Sequence, residues 1–278
     1  MPKTQKNNTI ISYSFEYSIK NISSGKTTKS QNPQSILECS STIKLAIVTI
    51  AIQKLRSGKG DISKRYKILP KYDSVKGSGV IHWRRFKRKY SINEMIKLIF
   101  LYSDCVATNF LIDFVGGKET VNRWLQVNGC NNTKLLVESI DFPAVVENDY
   151  GPDSVGLTSA RDLYTLATIY NAEAEYKGIK NMIRKSSRRG FTYFALYAKY
   201  NNLEVKMLKT GSMLYFEEKD LKNSLLHLSG IVRRKSDNAE VVFGFTAELY
   251  ANNSISKKQL YKTKDKMIKE MTEKIQNA

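Results

Sequence analysis

At 278 residues the chain can bury the core of one large domain or of two interleaved ones. Hydrophobic residues at 41% and aromatics at 10% exclude a disordered chain, and no apolar run reaches the roughly 18–20 residues of a membrane-spanning helix. The 45 basic against 26 acidic side chains, a net charge of +19, are spread along the chain and read as a Lys-rich solvated surface; no specific nucleic-acid partner is expected, only weak polyanion contacts.

The opening residues, MPKTQKNNT, carry no apolar signal core, so the chain as written is expected in the cytoplasm, or in the periplasm or outside the cell if a leader precedes it. Ile10 to Lys20 alternates as a half-buried strand does, Asn21 to Lys26 is a turn, and Thr27 to Ser30 starts a return strand. An apolar helix is predicted from Thr42 to Ser57, ended by Gly58 and Gly60. Residues 60–90 are polar and basic, with one dense run from His82 to Lys89. Ser91-Ile92-Asn93-Glu94 is a capping-box pattern opening the next helix, and further helices are predicted over 105–115, 118–128 and 158–171. Residues 139–157, with Pro143, Gly151, Pro152 and Gly156, read as a long ordered loop, and Arg184 to Arg189 is a second basic run. Strands return at Leu203–Lys209, Leu225–Lys235 and Ala239–Leu249, before an amphipathic helix from Ser256 to Gln276.

Strands at both ends with helices between them predict an α/β fold of the α+β sandwich kind. An antiparallel sheet built from both termini is flanked by helices, with an all-helical subdomain inserted. Residues 1–57 and 203–278 would form the sheet unit and 58–202 the helical unit, with the active site between them. Cys39, Cys105 and Cys130 stand at no metal-ligand spacing, and His82 and His227 are the only histidines, so neither a metal site nor a cofactor is expected. One disulfide is open, and the oligomeric state is not read from the sequence.

Three short motifs occur in one order: Ser41-Thr42-Ile43-Lys44, Ser103-Asp104-Cys105 and Lys209-Thr210-Gly211. A serine in the first turn of a buried helix has backbone N–H groups and the helix dipole close by, and Lys44, one turn on, shares its face. In a dry site beside other cations that ammonium would lose its proton more easily and could serve as base.

Together the three motifs match the S-x-x-K, S-D-N and K-T-G elements, and the chain resembles the serine β-lactamase and penicillin-binding protein superfamily, closest to its class A branch. Gly77-Ser78-Gly79, Val115-Gly116-Gly117 and Leu157-Thr158-Ser159-Ala160-Arg161-Asp162-Leu163 agree with it. The resemblance implies a hydrolase acylated at Ser41 by a β-lactam or a D-alanyl-type amide, with Lys44 or a loop Glu as base. It implies that Ser103 relays a proton to the leaving nitrogen and that Asp104 holds the loop. Lys209, Thr210 and Ser212 would bind a substrate carboxylate, Gly211 would let substrate approach the strand, and the N–H groups of Ser41 and Ser212 would form the oxyanion hole.

Two positions depart from that pattern. Cys105 stands where the family has a substrate-binding Asn, and a thiol is a weaker hydrogen-bonding group. The family's E-x-x-L-N has no clean copy: one register reaches Glu138 as the deacylating base, and another makes Asn148 the motif's Asn, which puts Ala144 at the Glu and leaves Glu147 out of place. Asn109, which in the family would hold that Glu, is present. If no base is positioned, acylation would proceed while hydrolysis stalls, as in penicillin-binding or D-alanyl peptidase-like enzymes. A biosynthetic acyl-transfer enzyme or a non-catalytic descendant would also fit these departures. The family's N-terminal helix is missing or very short, which would leave part of the C-terminal helix free to meet another subunit.

Overall fold

The alternation of the first strand is realised as β1 (Ile11–Asn21), which turns into β2 (Lys29–Gln31). The chain reaches the sheet again only in its last third, as β8 (Leu203–Glu217), β9 (Asp220–Arg234) and β10 (Glu240–Ala251). The antiparallel order β2-β1-β10-β9-β8 joins the two ends of the chain, as the sequence predicts, and leaves β8 at an edge. The structure is a computed structural model; it describes residues 11–24, 29–83, 89–141, 154–173, 175–189, 193–217, 220–251 and 255–278. The N-terminal ten residues, where a helix is expected to be short or missing, lie outside the described residues.

Between the two parts of the sheet runs a mostly helical stretch. After β3 (Leu37–Glu38), α1 (Ile43–Arg56) is buried almost all round. The polar 60–90 region supplies β4 (Arg65–Lys67), paired with β5 (Lys89–Ser91). The Ser91–Glu94 capping box opens α2 (Ile92–Tyr102), which leads to α3 (Cys105–Val115) and α4 (Lys118–Val127). Then β6 (Lys134–Leu135) and β7 (Gly156–Thr158) pair, and β7 also pairs with β3. The helices α5 (Ala160–Glu173), α6 (Ile179–Arg189) and α7 (Tyr193–Tyr200) precede β8, and α8 (Lys257–Gln276) closes the chain. No helix of the described residues is long and apolar enough to cross a membrane.

The sheet separates two cores. Ile19, Phe243, Phe245 and Leu249 face α7 and α8, whereas Val242, Ile231 and Met207 face α1, α2, α3 and α5. Burying both faces removes the large apolar areas that drive folding, at about 25 cal/mol per Å². On the inner face α5 lies directly on β10: a Cβ on Gly244 would overlap the Ala160 carbonyl and the Tyr164 amide, and Ser229 Oγ donates to Leu163 O at 2.7 Å. Backbone atoms cannot rotate away, so Gly244→Ala is expected to destabilise by about 3 kcal/mol and lower Tm by roughly 6–12 °C. A thermal melt within 2 °C of the wild type would show that α5 is not seated this closely.

Residues 172–202, which carry no predicted element, hold α6 and α7. Ile179, Met182 and Ile183 do stand at helical spacing, and Ile179 and Ile183 are fully buried. The three cysteines are free and buried.

Candidate active site

The chain enters the site through one tight turn. Ser40, Ser41 and Thr42 form a single 3-10 turn before α1, and Ser40 adopts φ 46, a left-handed conformation costly for a side chain with a Cβ. The buried carboxylate of Glu38 accepts from Ser40 N at 2.7 Å and from Val155 N at 3.3 Å, tying this turn to the strand after the long loop. Ser41 is half-buried, and its hydroxyl makes no hydrogen bond among the described residues. One turn on, Lys44 is completely buried, and its Nζ donates to Ser103 O, to Ser103 Oγ at 3.1 Å and to Cys105 Sγ at 3.4 Å.

Ser103 sits between α2 and α3, also left-handed at φ 53. Its carbonyl accepts from Ser78 Oγ at 2.7 Å. Asp104, fully buried, caps α3 by accepting from Ala107 N at 2.9 Å, and its other oxygen accepts from Val80 N at 2.6 Å and Ile81 N at 3.0 Å. Gly79, at φ +131, passes so close that a Cβ there would lie 2.5 Å from the Asp104 carboxyl. One carboxylate thereby fixes both the helix start and the strap carrying Ser78.

The third segment lies on β8, and a β-bulge decides which way it faces. Leu203 and Val205 point to the α8 side; after the register shift between Val205 and Met207, Met207 points inward and Leu208 outward. An unbroken alternation would turn position 209 to the α8 side. The extra residue instead aims Lys209 and Gly211 inward and Thr210 and Ser212 outward. Lys209 Nζ donates to Ser103 Oγ at 3.3 Å and to Thr210 O at 2.8 Å. Burial and, after it, the charge of Lys44 push Lys209 well below the ordinary lysine range. A Cβ on Gly211 would lie 3.1 Å from Cys39 O, Ser40 Cβ and Thr42 Cγ2, so this glycine admits the serine turn itself against the strand.

The structure thus brings Ser41, Lys44, Ser103, Cys105, Lys209, Thr210, Gly211 and Ser212 to one place, with Asp104 beneath them. Ser212 N, expected as an oxyanion donor, donates to Ser40 Oγ at 3.0 Å, and the same hydroxyl donates to Ser212 O at 3.0 Å. Asn109 spends its amide on the loop backbone, donating to Ile140 O at 3.0 Å and accepting from Ile140 N at 2.8 Å. Glu138 stands apart: it is largely exposed and ion-paired with Lys118 at 2.9 Å, because β6 and the turn after it hold it beside the start of α4. Ala144, Glu147 and Asn148 lie outside the described residues. Glu38, Ser40 and Lys264, whose Nζ donates to Ser212 Oγ at 3.0 Å, join the site without having been singled out by the sequence, and Ser78, quoted with Gly77 and Gly79 for the resemblance, joins it through Ser103 O. For the first three the one sequence signal is Glu38, an acid two residues before the turn of Ser40 to Thr42 in an otherwise apolar run.

The fold and these three segments define a serine acyl-transfer enzyme of the penicillin-recognising kind. The chain belongs to the β-lactamase enzyme family, whose model matches residues 3–263, and it is by family a serine β-lactamase-like hydrolase. No curated protein matches it significantly. Among solved structures it is similar to PBP-A, at 18% identity over 99% of this chain and 91% of that one, with a TM-score of 0.72. A variant of PBP-A in an acyl-enzyme complex with penicillin G aligns with a TM-score of 0.69 and 20% identity over 98% of this chain and 90% of that one. The chromosome-encoded β-lactamase of Vibrio parahaemolyticus gives a TM-score of 0.69 at 13% identity, over 95% and 92% of the two chains.

Proposed function

We propose that Ser41 is acylated by a β-lactam or a related D-alanyl-type amide in a cleft between the sheet unit, residues 1–57 and 203–278, and the helical unit, 58–202. The observation that carries this reading is the Ser103 hydroxyl, whose oxygen accepts from both Lys44 and Lys209, at 3.1 and 3.3 Å. Burial and then the neighbouring Lys44 charge favour the neutral amine at Lys209, and in this reading the Ser103 hydroxyl passes a proton from Lys44 to Lys209, leaving Lys44 free. The free amine supplies the base. As Ser41 Oγ bonds to the carbonyl carbon, its proton passes to Lys44, and Ser103 delivers a proton to the nitrogen as the C–N bond breaks. Negative charge on the carbonyl oxygen falls to the Ser41 and Ser212 amides, the second of which substrate must win from Ser40 Oγ.

Release of the acyl group is the slow step in this reading. Its support is that Glu138 is held on the surface by Lys118 and that Asn109 is committed to Ile140. Cys105 gives substrate a thiol where an amide would bind more strongly. Intact-mass kinetics after mixing with benzylpenicillin test both steps. A stoichiometric adduct that persists for many minutes is expected. The reading fails if no adduct forms and a chromogenic cephalosporin is not hydrolysed, and slow release fails if the adduct turns over within seconds.

A further inference from the structure

Resting on that reading, the geometry points to Lys264, on the C-terminal helix, as the residue that supplies the positive charge recognising the substrate's carboxylate. Among the described residues three cations or potential cations border the strand end that would hold a carboxylate, and two are poorly suited. Lys209 points inward, committed to Ser103 Oγ and Thr210 O, and burial disfavours its charge. His227, directly across from Gly211 on β9, is fully buried and held near 4, so it is neutral at physiological pH and adds no charge.

Lys264 differs in position and chemistry. The bulge in β8 turns Thr210 and Ser212 to the outer side, and Lys264 Nζ meets Ser212 Oγ there at 3.0 Å. The ammonium donates to that oxygen, which leaves the Ser212 proton free to donate to an incoming anion. A cavity of about 320 Å³ opens beside the pair, walled by Phe194, Leu226, Leu228, Leu260 and Ile268, so the anion meets its charge against apolar surface. Lys264 has no carboxylate partner among the described residues, and these walls lower it to about 8 by desolvation alone. A carboxylate arriving there finds a half-desolvated cation with no counter-ion among the described residues, where an ion pair is stronger than in open solvent.

The test compares acylation of Ser41 by benzylpenicillin and by its methyl ester, followed by intact mass, in the wild type, Lys264→Met and Lys264→Arg. The ratio of the free-acid to the ester rate is expected to fall about 10-fold in Lys264→Met and to stay near the wild-type value in Lys264→Arg. Because each variant carries its own ester rate, a general loss of activity leaves the ratio unmoved. An unchanged ratio in Lys264→Met overturns the assignment while leaving acylation at Ser41 standing. A wild type acylated by neither compound overturns the functional reading, and this assignment with it.

Discussion

Ser41→Ala is expected to give no covalent adduct with benzylpenicillin, and Lys44→Met to slow acylation by about 10³-fold while leaving the fold at least as stable as the wild type. The two halves of the second expectation come from one fact. Lys44 is fully buried, satisfied by a carbonyl, a hydroxyl and a thiol, with no carboxylate partner among the described residues. Burying an amine that way costs folding free energy, and a methionine of similar volume removes the cost. A residue kept at a cost to stability is kept for chemistry. Pseudo-first-order acylation rates from intact mass, with thermal melts on the same samples, check it. Acylation within 10-fold of wild type would remove Lys44 from the proton path. A Tm that falls with the rate would make its role structural instead.

Asp104→Ala is expected to lose about 3–5 kcal/mol of stability, a fall in Tm of roughly 6–20 °C. The substitution strands three backbone N–H groups, those of Ile81 and Ala107 buried and that of Val80 part-buried, and it uncaps α3. It also frees the junction that keeps Ser103 left-handed, so acylation should fall in the fraction that remains folded. Asp104→Asn, nearly isosteric, keeps one acceptor oxygen and should lose less than half as much. Calorimetry of the three proteins decides it, and an alanine variant melting within 2 °C of wild type would sink the claim that this carboxylate holds the strap.

Much of the fold is legible in the sequence because its signals are local. The period-2 alternation of Ile11 to Ile19, the Ser91–Glu94 capping box and the apolar run after Thr42 each mark an element from neighbouring residues alone. The helix α6 is hidden because Ile179, Met182 and Ile183 are interleaved with basic residues that read as a charged run, and α7 because its eight aromatic-rich residues are too short to show a helical period. In the site, Ser41, Lys44, Ser103 and Lys209 are found through motif spacing, which records the chemistry each residue supplies. Ser40 and Lys264 escape because their partner is Ser212, 172 and 52 residues away, and no local pattern encodes such a pairing. The register of the long loop is hidden for a related reason: its acids carry no periodicity to align.

The sequence by itself determined which reactive groups this protein owns and their order along the chain, since hydroxyls, amines and the thiol are fixed by residue type. Only the tertiary structure decided which way they face. A single extra residue at Lys206 reverses the alternation of β8, turning Lys209 in toward Ser103 and sending Thr210 and Ser212 out toward Lys264. The physical reason is that a strand's side-chain period is 2, so one bulged residue exchanges its two faces. Whether a strand bulges is settled by the partner it pairs with, here β9.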